Sequence, residues 1–152
     1  MKRSITLGAI LTTIATLATI VVGMEPASAS STKCAFYGRG IQGAVRNGQF
    51  CSTVHGSGTS ISTVTSSFGQ SWPVGDHICN PSIKMDVYDR WGKWITWRQG
   101  PQKTGCFWGT WESTRAIPVS WSFPQAANGS VRVTLQRSGA TVAENWHRLG
   151  CC

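Results

Sequence analysis

The sequence predicts an all-β chain: a single small, disulfide-stabilised β-sandwich or barrel-like domain that follows a cleaved signal peptide. Three observations lead there. Helical spacing is missing beyond residue 29, for no run there of about ten residues keeps apolar side chains at i, i+3 and i+4 without a Gly or Pro inside it. Alternation of apolar and polar residues recurs instead, in short runs separated by Gly, Asn, Asp and Ser. All six cysteines, an even number, follow the apolar N-terminal segment, as the disulfides of an exported domain would.

The N-terminus has the three parts of an export signal. Met1-Lys2-Arg3 is positive, residues 5–22 are uncharged and mostly Ile, Leu, Ala, Val and Thr, and Ala27-Ser28-Ala29 is a small-x-small cleavage pattern. The apolar run is long enough for an uncleaved anchor to be the alternative. Its threonines dilute the hydrophobicity, and helix-breaking Pro26 stands just before the cleavage pattern, so cleavage after Ala29 is expected. That divides the chain into a signal peptide, 1–29, and a secreted β domain, 30–152. About 120 residues fit one domain with a modest core. The whole chain has 14 Lys and Arg against 6 Asp and Glu, and a net charge of +8. Losing Lys2, Arg3 and Glu25 leaves about +7, a balance that suits anionic polymers. Nothing long and apolar remains after cleavage, so no membrane span is expected.

Along the domain, residues 34–37, 41–46 and 49–55 read as short strands broken by glycines. Residues 56–70 are rich in Gly, Ser and Thr. They read as a polar strand or an exposed loop around Ile61, Thr63 and Thr65, and as the most mobile part of the domain. Ser82-Ile83-Lys84-Met85-Asp86-Val87 alternates, with Ile83, Met85 and Val87 on one face. Residues 89–92 turn the chain and 93–98 return as the partner strand. Val119, Trp121 and Phe123 alternate with Ser120 and Ser122. Val131, Val133 and Leu135 alternate with Arg132, Thr134 and Gln136, and Arg137-Ser138-Gly139 turns the chain into a last strand over 140–147. Seven to nine short strands in about 120 residues fit a sandwich or small barrel.

The cysteines are Cys34, Cys51, Cys79, Cys106, Cys151 and Cys152. Loop lengths favour Cys34–Cys51 and Cys79–Cys106 as local staples. Adjacent Cys151 and Cys152 have three options: a strained vicinal bridge, separate upstream partners, or a bridge between chains that gives a disulfide-linked dimer. Zinc sites need paired C-x2-C spacings, which are absent, so no metal or other cofactor is expected.

Taken together, Cys34-Ala35-Phe36-Tyr37, Gly48-Gln49-Phe50-Cys51, His55-Gly56-Ser57-Gly58-Thr59, Ile78-Cys79-Asn80, the 89–93 turn, Gly105-Cys106 and the hairpin around Ser138-Gly139 cover nearly the whole domain. In that order they resemble small, uncharacterised secreted proteins of actinobacteria (Streptomyces type). The resemblance implies secretion and a β fold, and no activity. Members of that group carry a further cysteine pair in the last hairpin, and this chain departs from the pattern there, with Arg132 and Trp146 at the corresponding positions.

Eight tryptophans are the sharpest functional signal: Trp72, Trp91, Trp94, Trp97, Trp108, Trp111, Trp121 and Trp146. A core of this size needs about three or four rings of that area. Odd spacing in a strand sends side chains to opposite faces, so Trp91 and Trp97 are expected to share a face that Trp94 leaves. Arg90, Lys93 and Arg98 interleave with them. The W-x-x-W-x-x-W pattern resembles thrombospondin type 1 repeats, but their C-S-x-x-C-G continuation is missing, which excludes that family. Exposed indoles stack on guanidinium groups and on the CH faces of sugars. The alternative is that the rings fill the core and the cations form a solvated rim.

Acids and bases are few. Glu112, Arg115 and His147 are the residue types of small secreted ribonucleases: a base, a transition-state cation and an acid. Those enzymes carry a helix against their sheet, and none is predicted here. Asp86 and Asp89 are a glycosidase-like pair by type, though Asp89 reads better as a turn residue. Asp76-His77 reads as a polar loop, and Asn128-Gly129-Ser130 as a turn rather than a glycosylation site. The expectation is therefore a secreted, non-catalytic protein. It engages a carbohydrate, cell-wall or other polyanionic surface through Trp91, Trp94, Trp97, Arg90, Lys93 and Arg98, with nucleic acid not the expected partner. The alternatives are an antimicrobial or competition toxin, envelope-active or ribonuclease-like, and a secreted inhibitor.

Overall fold

A computed structural model describes residues 30–37, 48–70, 77–107 and 111–150. The expected signal peptide, the expected strand 41–46, Trp72, Asp76, Trp108, Cys151 and Cys152 lie outside them. The described residues form eleven strands: β1 (Ser31–Tyr37), β2 (Gly48–Ser57), β3 (Ser60–Gln70), β4 (Ile78–Cys79), β5 (Pro81–Tyr88), β6 (Trp94–Gln99), β7 (Cys106–Phe107), β8 (Glu112–Ser113), β9 (Ile117–Ser122), β10 (Ser130–Arg137) and β11 (Ala140–Arg148). Their only helical piece is a 3-10 turn, Pro124–Ala126. No described helix is long and apolar enough to cross a membrane.

Two antiparallel sheets, neither closed into a barrel, face each other. One runs β1-β2-β3-β8, with β9 also pairing β3. The other runs β11-β10-β5-β6, and β4 and β7 form a small separate ribbon. Alternation explains the core between them. Phe50, Val54, Val64 and Phe68 come from the first sheet, and Ile83, Met85, Val87, Val131, Val133 and Leu135 from the second. Both expected hairpins are present. Asp89 Oδ1 accepts the Trp91 and Lys93 amides (2.9 and 2.8 Å) and shapes the β5–β6 turn. Ser138 and Gly139, both at positive φ, make the two-residue β10–β11 turn. Asn128 also has positive φ, and the Gly129 amide bonds Ala126 O, in keeping with the expected turn there.

Both expected staples form, each between directly opposed residues of a strand pair: Cys34–Cys51 across β1–β2 and Cys79–Cys106 across β4–β7. Of the two expectations for 56–70, the strand is the one that forms: β3 pairs with β2, β8 and β9, and Ile61, Val64 and Phe68 are buried. Several of its hydroxyls find partners. Thr63 donates to Ile117 O (3.1 Å), Thr65 bonds His55 Nε2 (3.1 Å), and Ser66 bonds Thr114 (2.8 Å). Small β-branched and hydroxyl side chains suit a pleated surface once they are satisfied.

The sheets meet at two corners of different chemistry. Where β11 lies against β1 and β2, Asn145 Nδ2 donates to Lys33 O, Phe50 O and Ser52 Oγ (3.0, 3.2 and 3.0 Å). His147 bonds Ser31 Oγ through Nδ1 (2.7 Å) and Ser52 Oγ through Nε2 (2.8 Å). Where β6 approaches β9, the Arg98 guanidinium lies 3.6 Å from the centre of the Trp121 ring.

Candidate functional site

With Ile83, Met85 and Val87 committed to the core, Lys84, Asp86 and Tyr88 must face outward from β5, and registry places their neighbours. One cross-strand row reads Arg148, Ser130, Tyr88, Trp94. The next reads Trp146, Arg132, Asp86, Trp97, and a third reads Glu144, Thr134, Lys84, Gln99. The outer face of the four-stranded sheet therefore collects Tyr88, Trp94, Trp97 and Trp146 around a charged centre.

Trp94 and Trp97 share this face, against the expectation that odd spacing would separate them. The cause is a β-bulge. Asp86 opposes Trp97 and Val87 opposes Thr96, but Tyr88 opposes Trp94, so Ile95 is passed over and the alternation resets. The core alternative also fails for every described tryptophan. Trp91, Trp94, Trp97, Trp111, Trp121 and Trp146 are 75, 51, 48, 59, 42 and 46 % exposed.

Charge at the centre of the face is balanced. Asp86, with a side chain only 2 % exposed, pairs with Lys84 Nζ (2.9 Å) and Arg132 Nη2 (3.0 Å), and Arg132 Nη1 reaches Glu144 at 3.7 Å. Burial pushes the Asp86 carboxyl upward, but hydrogen bonds and attraction from Lys84 and Arg132 outweigh it and hold the group below the ordinary carboxylate value. Burial alone would lower Arg132, yet Asp86, Tyr88 and Glu144 raise it. The guanidinium carbon lies 5.6 and 5.5 Å from the Tyr88 and Trp146 ring centres, and those rings are 5.1 Å apart. Lys84 Nζ is 5.5 Å from the Trp97 ring centre. The cations thus brace the rings, while two carboxylates neutralise them.

Beyond the third row the face ends in a depression of about 440 Å³ lined by Ser82, Gln99, Gly100, Gln102, Gln136 and Gly139. Gln99 Nε2 donates to Ser82 Oγ and Gln136 Oε1 (3.0 and 2.8 Å). Amide and hydroxyl groups therefore border the aromatic surface. Such a surface offers flat apolar area for stacking and, at one end, donors and acceptors for hydroxyls.

The sequence-predicted cluster divides into three. Trp94 and Trp97 lie on the face. Trp91, Arg90 and Lys93 occupy the exposed β5–β6 turn, where the Arg90 guanidinium stacks 3.9 Å from the Trp91 ring centre. Arg98 opposes inward-facing Met85 and turns away from Trp97 to the Trp121 corner. Sequence reasoning left Tyr88, Lys84, Arg132 and Trp146 out of the cluster, Trp146 being marked only as one of the eight tryptophans. Arg132 and Trp146 are direct cross-strand partners, and the alternation of Val131, Val133 and Leu135 already set Arg132 outward.

The residues of the ribonuclease alternative are not assembled as catalysts. His147 is buried, with both ring nitrogens bonded to serines, whereas Glu112 pairs with Lys103 Nζ (2.7 Å). Asp89 serves the turn and Asp86 its two cations. His77 lies near Cys79 and Cys106, within 4.8 Å ligand to ligand, but those sulfurs are joined to each other, not available as thiolate ligands. Compared with protein families, with curated proteins and with solved structures, the chain finds no match.

Proposed function

We propose that this is a secreted, non-catalytic binding protein that lays the outer face of its β11-β10-β5-β6 sheet on a carbohydrate surface. One observation carries the reading: Tyr88, Trp94, Trp97 and Trp146 stand together on a sheet face that the core does not use. Large rings left in water cost hydrophobic free energy, and a ligand that stacks on them recovers it. The leader-like segment 1–29 and two internal disulfides support export.

Charge balance refines the ligand. Lys84 and Arg132 are committed to Asp86 and Glu144, and exposed Arg148 at the edge of the first row is the cation the face adds beyond them, so the centre of the face favours an uncharged or weakly charged glycan. Binding to a polyanion would instead fall to Arg90 and Lys93 of the turn and to Arg148 at the edge of the face. Retention on insoluble cellulose, chitin and bacterial cell-wall preparations, at low and high salt, tests this. The expected result is retention on at least one of them that persists in high salt, since stacking is not screened. No retention on any support at either salt concentration would sink the proposal, and retention abolished by salt would move the site to the turn cations.

A further inference from the structure

A second site lies away from that face. β9 begins with Ile117 and Val119 buried, and regular alternation would send Trp121 inward after them. Ser120 breaks the pattern. Its φ of +48° is a conformation that non-glycine residues seldom adopt, and pairing with β3 is irregular between Ile61 and Thr63. Trp121 is thereby turned out to 42 % exposure, and the expectation that it would lie with Val119 and Phe123 is corrected. Strain of this kind persists only where surrounding structure holds it, and it concentrates at ligand sites.

The ring so displaced forms one wall of a groove of about 690 Å³ at the β2–β3 turn. Ser57, Ser60, Ser62 and Ser122 present hydroxyl-bearing walls, His55 adds an imidazole bonded to Thr65, and no lining side chain is that of Lys, Arg, Asp or Glu; Ser30 also lines the groove and would bring the α-ammonium of the cleaved chain to its edge. Arg98 stacked at 3.6 Å and Phe123, edge-on at 6.1 Å, fix the Trp121 ring in place. A rigid indole beside a row of small hydroxyls, with no charged side chain in the lining and one amino group at its edge to donate to hydroxyls, fits a ligand with an apolar face and many hydroxyl groups.

We infer that the groove bounded by Trp121, His55 and the serines of the β2–β3 turn binds one or two units of a soluble, neutral sugar, independently of the outer sheet face. Titration with cellobiose, chitobiose and maltose, followed by amide and indole NMR signals of the labelled protein, tests it. At least one sugar is expected to shift the Trp121 indole and the Ser57, Ser60 and Ser122 amides. Trp121→Ala should weaken that binding about tenfold, and Ser57→Phe, at an exposed strand end, should block it by filling the groove. Trp97→Ala should leave the groove shifts unchanged, which separates this site from the face. Absence of groove shifts with all three sugars, or shifts that survive both groove variants, would overturn the inference.

Discussion

Between pH 7 and pH 4 the protein is expected to lose roughly 3 kcal/mol of folding stability through His147 alone. The imidazole is 1 % exposed, and burial, with Lys33 nearby, drives its pKa from 6.5 down to about 4 against the opposing hydrogen bond with Ser31. Protonation therefore favours the unfolded chain. The contribution is complete above pH 6.5, falls away as pH drops toward 4, and levels off below that. Urea unfolding at several pH values across this window measures it. His147→Gln should be less stable at pH 7 but should flatten the pH dependence. An equally steep dependence in the variant would show that other groups carry it.

Asp86→Ala should lower stability at pH 7 by about 2 kcal/mol, less than the full cost of breaking a buried pair because Lys84 and Arg132 remain partly hydrated. The variant strands two cations and leaves Arg132, whose Nε already has no hydrogen-bond partner, without its main anchor. Asp86→Leu combined with Arg132→Met should recover most of the loss, since an apolar pair needs no counter-charge. Urea midpoints decide. A change below about 0.5 kcal/mol in Asp86→Ala would mean that the pair is ornamental.

Much of the fold was legible. Alternation placed both hairpins, and short loops pointed to the two disulfides now seen, because period-2 patterning and turn residues act locally. For β3 the sequence left strand and loop open, because its hydroxyls are satisfied by partners distant in sequence, such as Thr114 and Ile117. The site was half legible. Tryptophan excess marked Trp94 and Trp97, but a bulge decided that they share a face, and a bulge depends on the partner strand. Arg132 and Trp146 became part of the site only through pairing across β10–β11 and β10–β5.

The central claim is that these tryptophans serve a surface, not the core. Its most direct test is the Trp97→Ala/Trp146→Ala double variant, measured for thermal unfolding and for retention on the polysaccharide that holds the unaltered protein. Both rings are about half exposed, so unfolding should shift by only a few degrees while retention is lost. Retention equal to that of the unaltered protein, or collapse of the fold, would contradict the account.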